Sequence, residues 1–272
     1  MENILFFFAR LPVYSYGFML GLGLLLGSCL ALREAKRKGL GGDFVYQFIV
    51  RAVLAFIIAG RIGFVFAIYG WRTFIYPWVL LSDIHLDEAR GLMGLSIYVL
   101  YFLLRRVDNP AAFLDALIPS AALMQSLGCL GSSVLGRETT VRWGVDLGEF
   151  LLHPLPLYSA LAYYLLFALL WRCRRTLRYD GQLFLGYLAL SAVIERMLMP
   201  FQEVLGDSAN PWLYSLAALL FGGAWFYVYI SSPLTDARRR RGAIGWRSLV
   251  LYAVSLLGVG LVMIKFFYWR FS

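Results

Sequence analysis

The sequence predicts an all-α polytopic transmembrane bundle of about eight spans, and three observations support this prediction. Of the 272 residues, 61% are hydrophobic and only 15% are charged, with a mean hydropathy of +0.71. A soluble domain of this length does not have that composition. The apolar residues form runs near the length of about 20 residues that a helix needs to cross a bilayer. Basic residues cluster in the loops between those runs.

The predicted spans follow the apolar runs in chain order. The first contains "GFMLGLGLLLG", whose four glycines form two small-xxx-small pairs typical of close helix packing in membranes. The third is short, whereas the second and fourth are long enough to tilt or to include a re-entrant turn. The spans cover residues 13–32, 45–70, 91–104, 111–135, 154–171, 181–201, 211–230 and 247–268.

Lysine and arginine mark alternate loops. The loops after the first, third, fifth and seventh spans, together with Arg247 at the start of the eighth span, hold 15 of the 25 Lys and Arg residues. The loops after the second, fourth and sixth spans hold only Arg72, Arg90, Arg137 and Arg142. By the positive-inside rule the first set of loops is cytoplasmic. Both termini, and the polar stretch at 136–158, are therefore expected on the outer side of the membrane.

Other classes of protein are disfavoured. No phosphate-binding glycine loop, HExxH or GxSxG occurs, and the two histidines, His85 and His153, are too few for a histidine-rich metal site. The net charge of +9 lies in short clusters between apolar runs, which indicates anionic lipid headgroups rather than nucleic acid. No linker or internal repeat divides the chain. It is therefore predicted to form a single integral membrane domain over residues 1–272, with a basic cytoplasmic loop at 231–246.

Several charged residues fall within predicted spans, where a charge costs several kcal/mol unless it is paired or hydrated. Asp115 lies near the cytoplasmic end of the fourth span, which favours a position at the membrane interface. Arg61 and Glu195 are deeper, each toward the outer half of its span. We expect an ion pair between them, a polar cavity open to lipid headgroups, or both.

Six local patterns between about residues 12 and 230 resemble, in order, those of the phosphatidylglycerol–prolipoprotein diacylglyceryl transferases, the Lgt family of bacterial inner membranes. They are "SYGFMLGLGLLLG", "REAKRKGL", "GRIGFVF", "LGRETTVRWGV", "HPLPLY" and "GYLALSAVIER". The resemblance implies an Lgt-like core over 1–230 and makes 247–268 an additional transmembrane helix. It also implies residence in the bacterial inner membrane, with both termini periplasmic.

The resemblance further implies transfer of the diacylglyceryl group of phosphatidylglycerol to the lipobox cysteine of a prolipoprotein, without cofactor or metal. That reaction needs cations to hold a departing phosphate and a group that takes the proton of the thiol. The catalytic candidates that the resemblance implies are Arg137, His153 and Glu195. The substrate-binding candidates are Tyr16, Arg61, Arg90, Arg142, Tyr158 and Arg196. The implied partners are phosphatidylglycerol and a lipoprotein precursor.

The sequence departs from the family pattern at positions where the family carries arginine. Cys129 stands for the arginine of the fourth span, and Ser191 stands for that of the sixth. Three hypotheses therefore remain open at this stage. The protein is an active transferase with a rearranged set of arginines, or a non-catalytic relative that binds lipid or lipopeptide, for instance as a subunit of a membrane complex. The third and weakest is a transporter whose intramembrane charges line a path.

Overall fold

All eight predicted spans are helices in a computed structural model, which describes residues 4–8, 11–70, 78, 87–148, 150–202, 210–232 and 246–271. A 3-10 turn, Met199–Phe201, extends the sixth helix. The helices are α1 Ser15–Arg37, α2 Gly42–Tyr69, α3 Glu88–Arg106, α4 Pro110–Gly131, α5 Leu155–Cys173, α6 Gln182–Leu198, α7 Pro211–Ser231 and α8 Trp246–Phe271. Most of the predicted basic loop 231–246 lies outside the described residues.

Seven helices of the described part of the chain are long and apolar enough to cross a membrane, and α3 is the exception. Charged residues at both of its ends, Glu88 and Arg90 at the start and Arg105 and Arg106 at the end, reduce its hydropathy. The protein is thus a multi-pass membrane protein. A crossing by α3, which would complete the predicted eight, stays a prediction.

Two short hairpins accompany the helices in the described residues, and neither was predicted. Strand β1, Ile4–Phe8, pairs antiparallel with β2, Leu11–Tyr14, immediately before α1. Strand β3, Val145–Asp146, pairs antiparallel with β4, Leu151–Leu152, in the polar loop between α4 and α5. These strands are too short and too irregular in hydropathy to produce a period-two signal in the sequence.

The chain forms two compact units, one of residues 1–31 and 114–272 and the other of residues 32–113. The prediction of one domain over the whole chain stays a prediction. In the smaller unit, glycines let α2 and α3 approach closely. A Cβ at Gly94 would lie 2.1 Å from the Cβ of Ala59, and one at Gly91 would lie 2.8 Å from the Phe56 ring. This is the close packing that small residues permit in membrane helices.

In the larger unit, one of the two glycine pairs of α1 packs as predicted. Cβ atoms at Gly23 and Gly27 would lie 3.2 Å from the Met124 backbone and 3.3 Å from the Ser120 carbonyl of α4, respectively. Around Gly17 and Gly21, no atom of the described residues lies within 4 Å of the place that a Cβ would occupy. The prediction of close packing is therefore confirmed for the second pair and wrong for the first.

Asp115 is completely buried in the larger unit, and its role is to cap another helix. Its carboxylate accepts hydrogen bonds from the amides of Gly181 (2.8 Å) and Phe184 (3.0 Å) at the start of α6, where amides lack intrahelical partners. Burial, and secondarily the Asp115 charge, raise the pKa of the neighbouring Tyr179 to about 12. At neutral pH that hydroxyl stays protonated and donates to the Trp225 carbonyl at 3.1 Å.

At one end of the larger unit lie the start of α1, the end of α4, the loop from 132 to 153, and the end of α8. We call it the polar-loop end. The Ser15 hydroxyl donates to the Gly131 carbonyl at 3.0 Å. Phe267 of α8, which is 0% exposed, belongs to the same buried cluster as Leu130, Val145 and Leu157. The alternation of crossings predicted from the loops places all of these segments on one side.

The predicted orientation of the loops across the membrane can be tested by cysteine labelling. In a background without Cys29, Cys129 and Cys173, Thr139→Cys in the polar loop should react with a membrane-impermeant thiol reagent added outside. Ala243→Cys, which lies outside the described residues, should react only after permeabilisation, because its loop is rich in arginine. Reaction of both cysteines from the same side would contradict the predicted orientation.

Candidate functional site

The polar loop between α4 and α5 folds back on itself and brings Arg137 alongside His153. The His153 amide donates to the Arg137 carbonyl at 2.9 Å, and its carbonyl accepts from the Gly136 amide at 2.9 Å. Two residues on one side thus bond to a single residue on the other, which is the arrangement of a β-bulge. Bulges of this kind are frequent beside active sites, where they redirect a side chain. The predicted catalytic residues Arg137 and His153 are therefore neighbours.

The Arg137 amide takes no part in this pairing. It donates a hydrogen bond to the carbonyl of Phe201, in the turn after α6, at 2.9 Å. The loop is thus fixed to the end of α6 by main-chain bonds. The Arg137 side chain is exposed, and its guanidinium reaches the Pro200 carbonyl only at 3.5 Å, the outer limit of a hydrogen bond. The backbone of Arg137 is rigidly held while its charge faces outward.

Aromatic rings surround the half-buried His153. The Phe201 ring packs edge-on against the imidazole with centroids 5.0 Å apart, and the Tyr158 ring lies 5.6 Å from Phe201. Nδ1 of His153 is 3.5 Å from the Tyr158 hydroxyl, which also accepts a hydrogen bond from the Trp143 indole at 2.8 Å. We call Arg137, Trp143, His153, Tyr158 and Phe201 the outer layer.

Gly136 allows the close approach between the loop and α6, and it yields the second test. A Cβ at this position would lie 2.2 Å from the Phe201 carbonyl oxygen and 3.1 Å from the His153 Cβ. Because backbone atoms cannot move aside easily, Gly136→Ala should cost about 1–3 kcal/mol, the usual cost of overpacking. A thermal melt should show a lower Tm. Gly223→Ala, on α7 with no described atom within 4 Å of an added Cβ, is the matched control. Equal melting temperatures for the two variants would contradict the contact.

A second polar group lies farther from the polar loop along α5 and α6, where Glu195 of α6 faces α5. Its carboxylate accepts a hydrogen bond from the Tyr163 hydroxyl at 2.6 Å, and Tyr163 is 1% exposed. Beside it, the Tyr187 hydroxyl donates to Gln125 Oε1. Cys129 and Tyr187 both pack against the buried cluster that contains Tyr163. We call Gln125, Cys129, Tyr163, Tyr187 and Glu195 the inner layer.

The inner layer contains Cys129, one of the two positions at which the resemblance implies arginine, and the other, Ser191, lies on α6 four residues before Glu195. Cys129 packs among the apolar neighbours of Tyr163, and the Ser191 hydroxyl donates to the Leu188 carbonyl of its own helix at 3.1 Å. Neither residue carries a positive charge. Of the layers described here, only the outer one contains a cation, which is Arg137.

Arg61 and Arg90 belong to the smaller unit, where α2 lies against the first turn of α3. A Cβ at Gly63 would lie 2.2 Å from the Cδ of Arg90, so the arginine stem packs on α2 just beyond Arg61. The Arg61 guanidinium lies 5.8 Å from the centre of the Phe64 ring. The structure therefore places both predicted substrate-binding residues on the α2–α3 pair, with the Arg90 stem against Gly63. The predicted ion pair between Arg61 and Glu195 joins residues of different units and stays a prediction.

Asp87 orients Arg90 at the start of α3. Its carboxylate caps the helix by accepting the Arg90 amide at 2.9 Å, and it forms an ion pair with the Arg90 guanidinium. The hydrogen bond from the Arg90 amide is the main reason that the pKa of Asp87 lies below its ordinary value. Asp87 therefore stays ionised over the physiological range.

The remaining predicted residues, Tyr16, Arg142 and Arg196, are exposed. The Tyr16 backbone abuts the end of α4, because a Cβ at Gly131 would lie 2.9 Å from its Cα. Arg142 occupies the turn before Trp143, and Arg196 follows Glu195 on the outer face of α6.

Sequence reasoning missed the partners of these residues. In the sequence, Tyr163 is one of several aromatic residues in an apolar span. Phe201 is the last residue of the following predicted span. Trp143 lies in the polar loop, where no sequence pattern marks it as a partner of Tyr158. The one signal that could have identified Trp143 and Phe201 is their position beside helix ends that the polar loop must join.

Comparison with known proteins places these layers in a family. The sequence model of the family described as prolipoprotein diacylglyceryl transferase matches residues 3–230. The phosphatidylglycerol–prolipoprotein diacylglyceryl transferase of Clostridioides difficile (strain 630) is 24% identical over 245 residues, covering 85% of this chain and 96% of that protein. Its counterpart in Clostridium tetani is 26% identical over 207 residues, covering 71% and 82%. That of Bacillus cereus (strain 03BB102) is 30% identical over 196 residues, covering 65% and 72%. The family match ends within the last turn of α7, before α8.

Proposed function

Because the chain belongs to the prolipoprotein diacylglyceryl transferase family, we propose that it transfers the diacylglyceryl group of phosphatidylglycerol to the thiol of a lipoprotein precursor. The observation that carries the proposal is the main-chain pairing that holds Arg137 beside His153, next to Tyr158. We further propose that the enzyme lies in the bacterial inner membrane with the polar-loop end outside, where lipoprotein precursors emerge.

The reaction determines what the site must supply. The thiolate attacks the glyceryl carbon of the lipid, a carbon–sulfur bond forms, and the carbon–oxygen bond to phosphate breaks. Glycerol phosphate leaves with one more negative charge than the phosphodiester had, so a preorganised cation stabilises the transition state more than the ground state. The thiol proton goes to a base in the protein.

Arg137 suits the role of the cation. Its guanidinium is exposed at the loop, its backbone is held at both the amide and the carbonyl, and a guanidinium binds phosphate oxygens in bidentate fashion. A cleft of about 500 Å³ elsewhere on the loop is lined by Glu138 and Asp146 among others. Two carboxylates make that cleft unsuitable for an anionic headgroup, which favours the Arg137 side of the loop.

Glu195 and His153 suit the role of the base. Glu195 is a carboxylate whose hydrogen-bonded partner, Tyr163, fixes its orientation, and His153 is held by its own main chain and by the rings of the outer layer. With Cys129 and Ser191 uncharged, Arg137 takes over the electrostatic part of catalysis in the larger unit. For Arg61 and Arg90 of the smaller unit, a substrate-binding role is proposed on the resemblance to the family alone.

A transfer assay with the purified protein tests the proposal. Phosphatidylglycerol labelled in its acyl chains is supplied with a lipobox peptide, and with the same peptide carrying serine in place of the cysteine. We expect labelled product with the first peptide and none with the second. Phospholipid that stays bound through purification, with no product from either peptide, would instead identify a non-catalytic lipid-binding relative.

A further inference from the structure

The eighth helix lies beyond the family match, yet its last turn reaches the polar-loop end. We propose that Arg270 of α8 is a positioning residue for the transfer reaction. It holds the end of α4, and through it the polar loop, in the geometry that the outer layer requires. This inference rests on the proposed function for its effect on activity, but the contacts on which it depends have a readout of their own.

The Arg270 guanidinium binds a row of main-chain carbonyls where α4 ends. One terminal nitrogen donates to the carbonyls of Gly131 (2.6 Å) and Leu130 (3.0 Å), and also reaches the Ser15 hydroxyl at 3.2 Å. The other donates to the Ser132 carbonyl at 2.6 Å. One side chain thus joins the start of α1, the end of α4 and the first residue of the polar loop.

These carbonyls need donors because of how α4 ends. The last carbonyls of a helix have no intrahelical partner, and a glycine in the left-handed conformation commonly supplies a cap. Gly131 is not among the glycines with positive φ in the described part of the chain. Arg270 supplies the missing donors from another helix, and its charge also interacts favourably with the negative end of the α4 dipole.

The rest of the last two turns of α8 supports the loop at further points. Phe267 is fully buried against residues that include Val145 of strand β3 and Leu157 of α5. The Tyr268 hydroxyl donates to the Trp143 carbonyl, and Trp143 in turn donates to Tyr158 in the outer layer. A chain of direct contacts therefore runs from α8 to the residue beside His153.

Removal of the guanidinium should loosen the loop before it affects the rest of the fold. Hydrogen–deuterium exchange, followed by mass spectrometry of peptides covering residues 130–145, measures this directly in the full-length protein. In Arg270→Ala, amides of that segment should exchange at least about tenfold faster, as expected when hydrogen bonds from a charged donor are lost. Lys265→Ala removes an exposed cation from the same helix and should leave the exchange unchanged.

The activity assay separates positioning from simple stability. Phe267→Ala removes buried packing but no charge. It therefore shows how much activity is lost for a given decrease in Tm when only stability is affected. Arg270→Ala should reduce kcat about tenfold or more, with little change in the KM for phosphatidylglycerol. This fall in kcat should exceed the fall that Phe267→Ala shows for the same decrease in Tm. Arg270→Lys keeps the charge without the planar fork and should recover only part of the rate.

The two readouts distinguish failure of this inference from failure of the proposed function. If the wild-type protein transfers nothing, the proposed function fails while faster exchange in Arg270→Ala still supports the contact. If Arg270→Ala exchanges at the same rate as Lys265→Ala, the positioning role is wrong. It is also wrong if exchange is faster but an active wild type and Arg270→Ala have equal kcat.

Discussion

Arg137→Ala is expected to reduce transfer to a lipobox peptide by about 100- to 1,000-fold, the usual effect of removing one donor that stabilises developing negative charge. The protein should still fold, because the hydrogen bonds that Arg137 contributes to the loop come from its backbone, and the only side-chain bond in the described contacts is the long one to Pro200. The loss should appear in kcat, since the charge develops as the phosphate departs.

Arg175→Ala is the matched control for this change. Arg175 is an exposed arginine in the loop after α5, at the opposite end of the bundle from Arg137. The two variants lose the same charge, but only one loses it at the polar loop. Activity of Arg137→Ala within about threefold of Arg175→Ala would fall far short of that donor effect and would remove Arg137 from the mechanism.

Glu195→Gln should have an effect of comparable size, about 100- to 10,000-fold if the carboxylate accepts the thiol proton. Glutamine keeps the shape of the side chain and still accepts a hydrogen bond from Tyr163, so the inner layer should stay intact. Tyr163→Phe is the companion variant. It keeps the carboxylate but removes its 2.6 Å donor, and should lower the stability of the protein by about 1–3 kcal/mol.

The pair of variants separates chemistry from structure at this site. Loss of activity at unchanged Tm in Glu195→Gln, with loss of Tm in Tyr163→Phe, would identify Glu195 as the base. Full activity in Glu195→Gln would assign the proton to His153 instead. Glu195 would then be a structural carboxylate whose role is to satisfy Tyr163.

The helices of this protein could be predicted because each depends on local composition. A run of about 20 apolar residues has few alternatives in lipid, where backbone groups must bond within the segment. The eight predicted runs therefore correspond to eight helices in the described chain. Strands β3 and β4 are two residues each and depend on the fold of the loop, so no local pattern marks them.

The site was predicted in part, for the same reason. Arg137, His153 and Tyr158 are close in sequence, and the loop brings them together. The partner of Glu195 could not be predicted, because Tyr163 and Glu195 come from different helices whose relative rotation is set by packing. Asp115 shows the same limit. Its position near a helix end suggested a place at the membrane interface, but not that it is buried and caps α6.

The contact between Ser15 and Arg270 joins residues 255 positions apart, and this has a consequence for biogenesis. A ribosome delivers α1 and α4 to the membrane long before it delivers α8. Until then the end of α4 lacks the guanidinium that binds its carbonyls, and β3 lacks its contact with Phe267. A nascent chain arrested before α8 is therefore expected to have most helices inserted but an unfinished polar loop, so that maturation to the active fold is among the last events of synthesis.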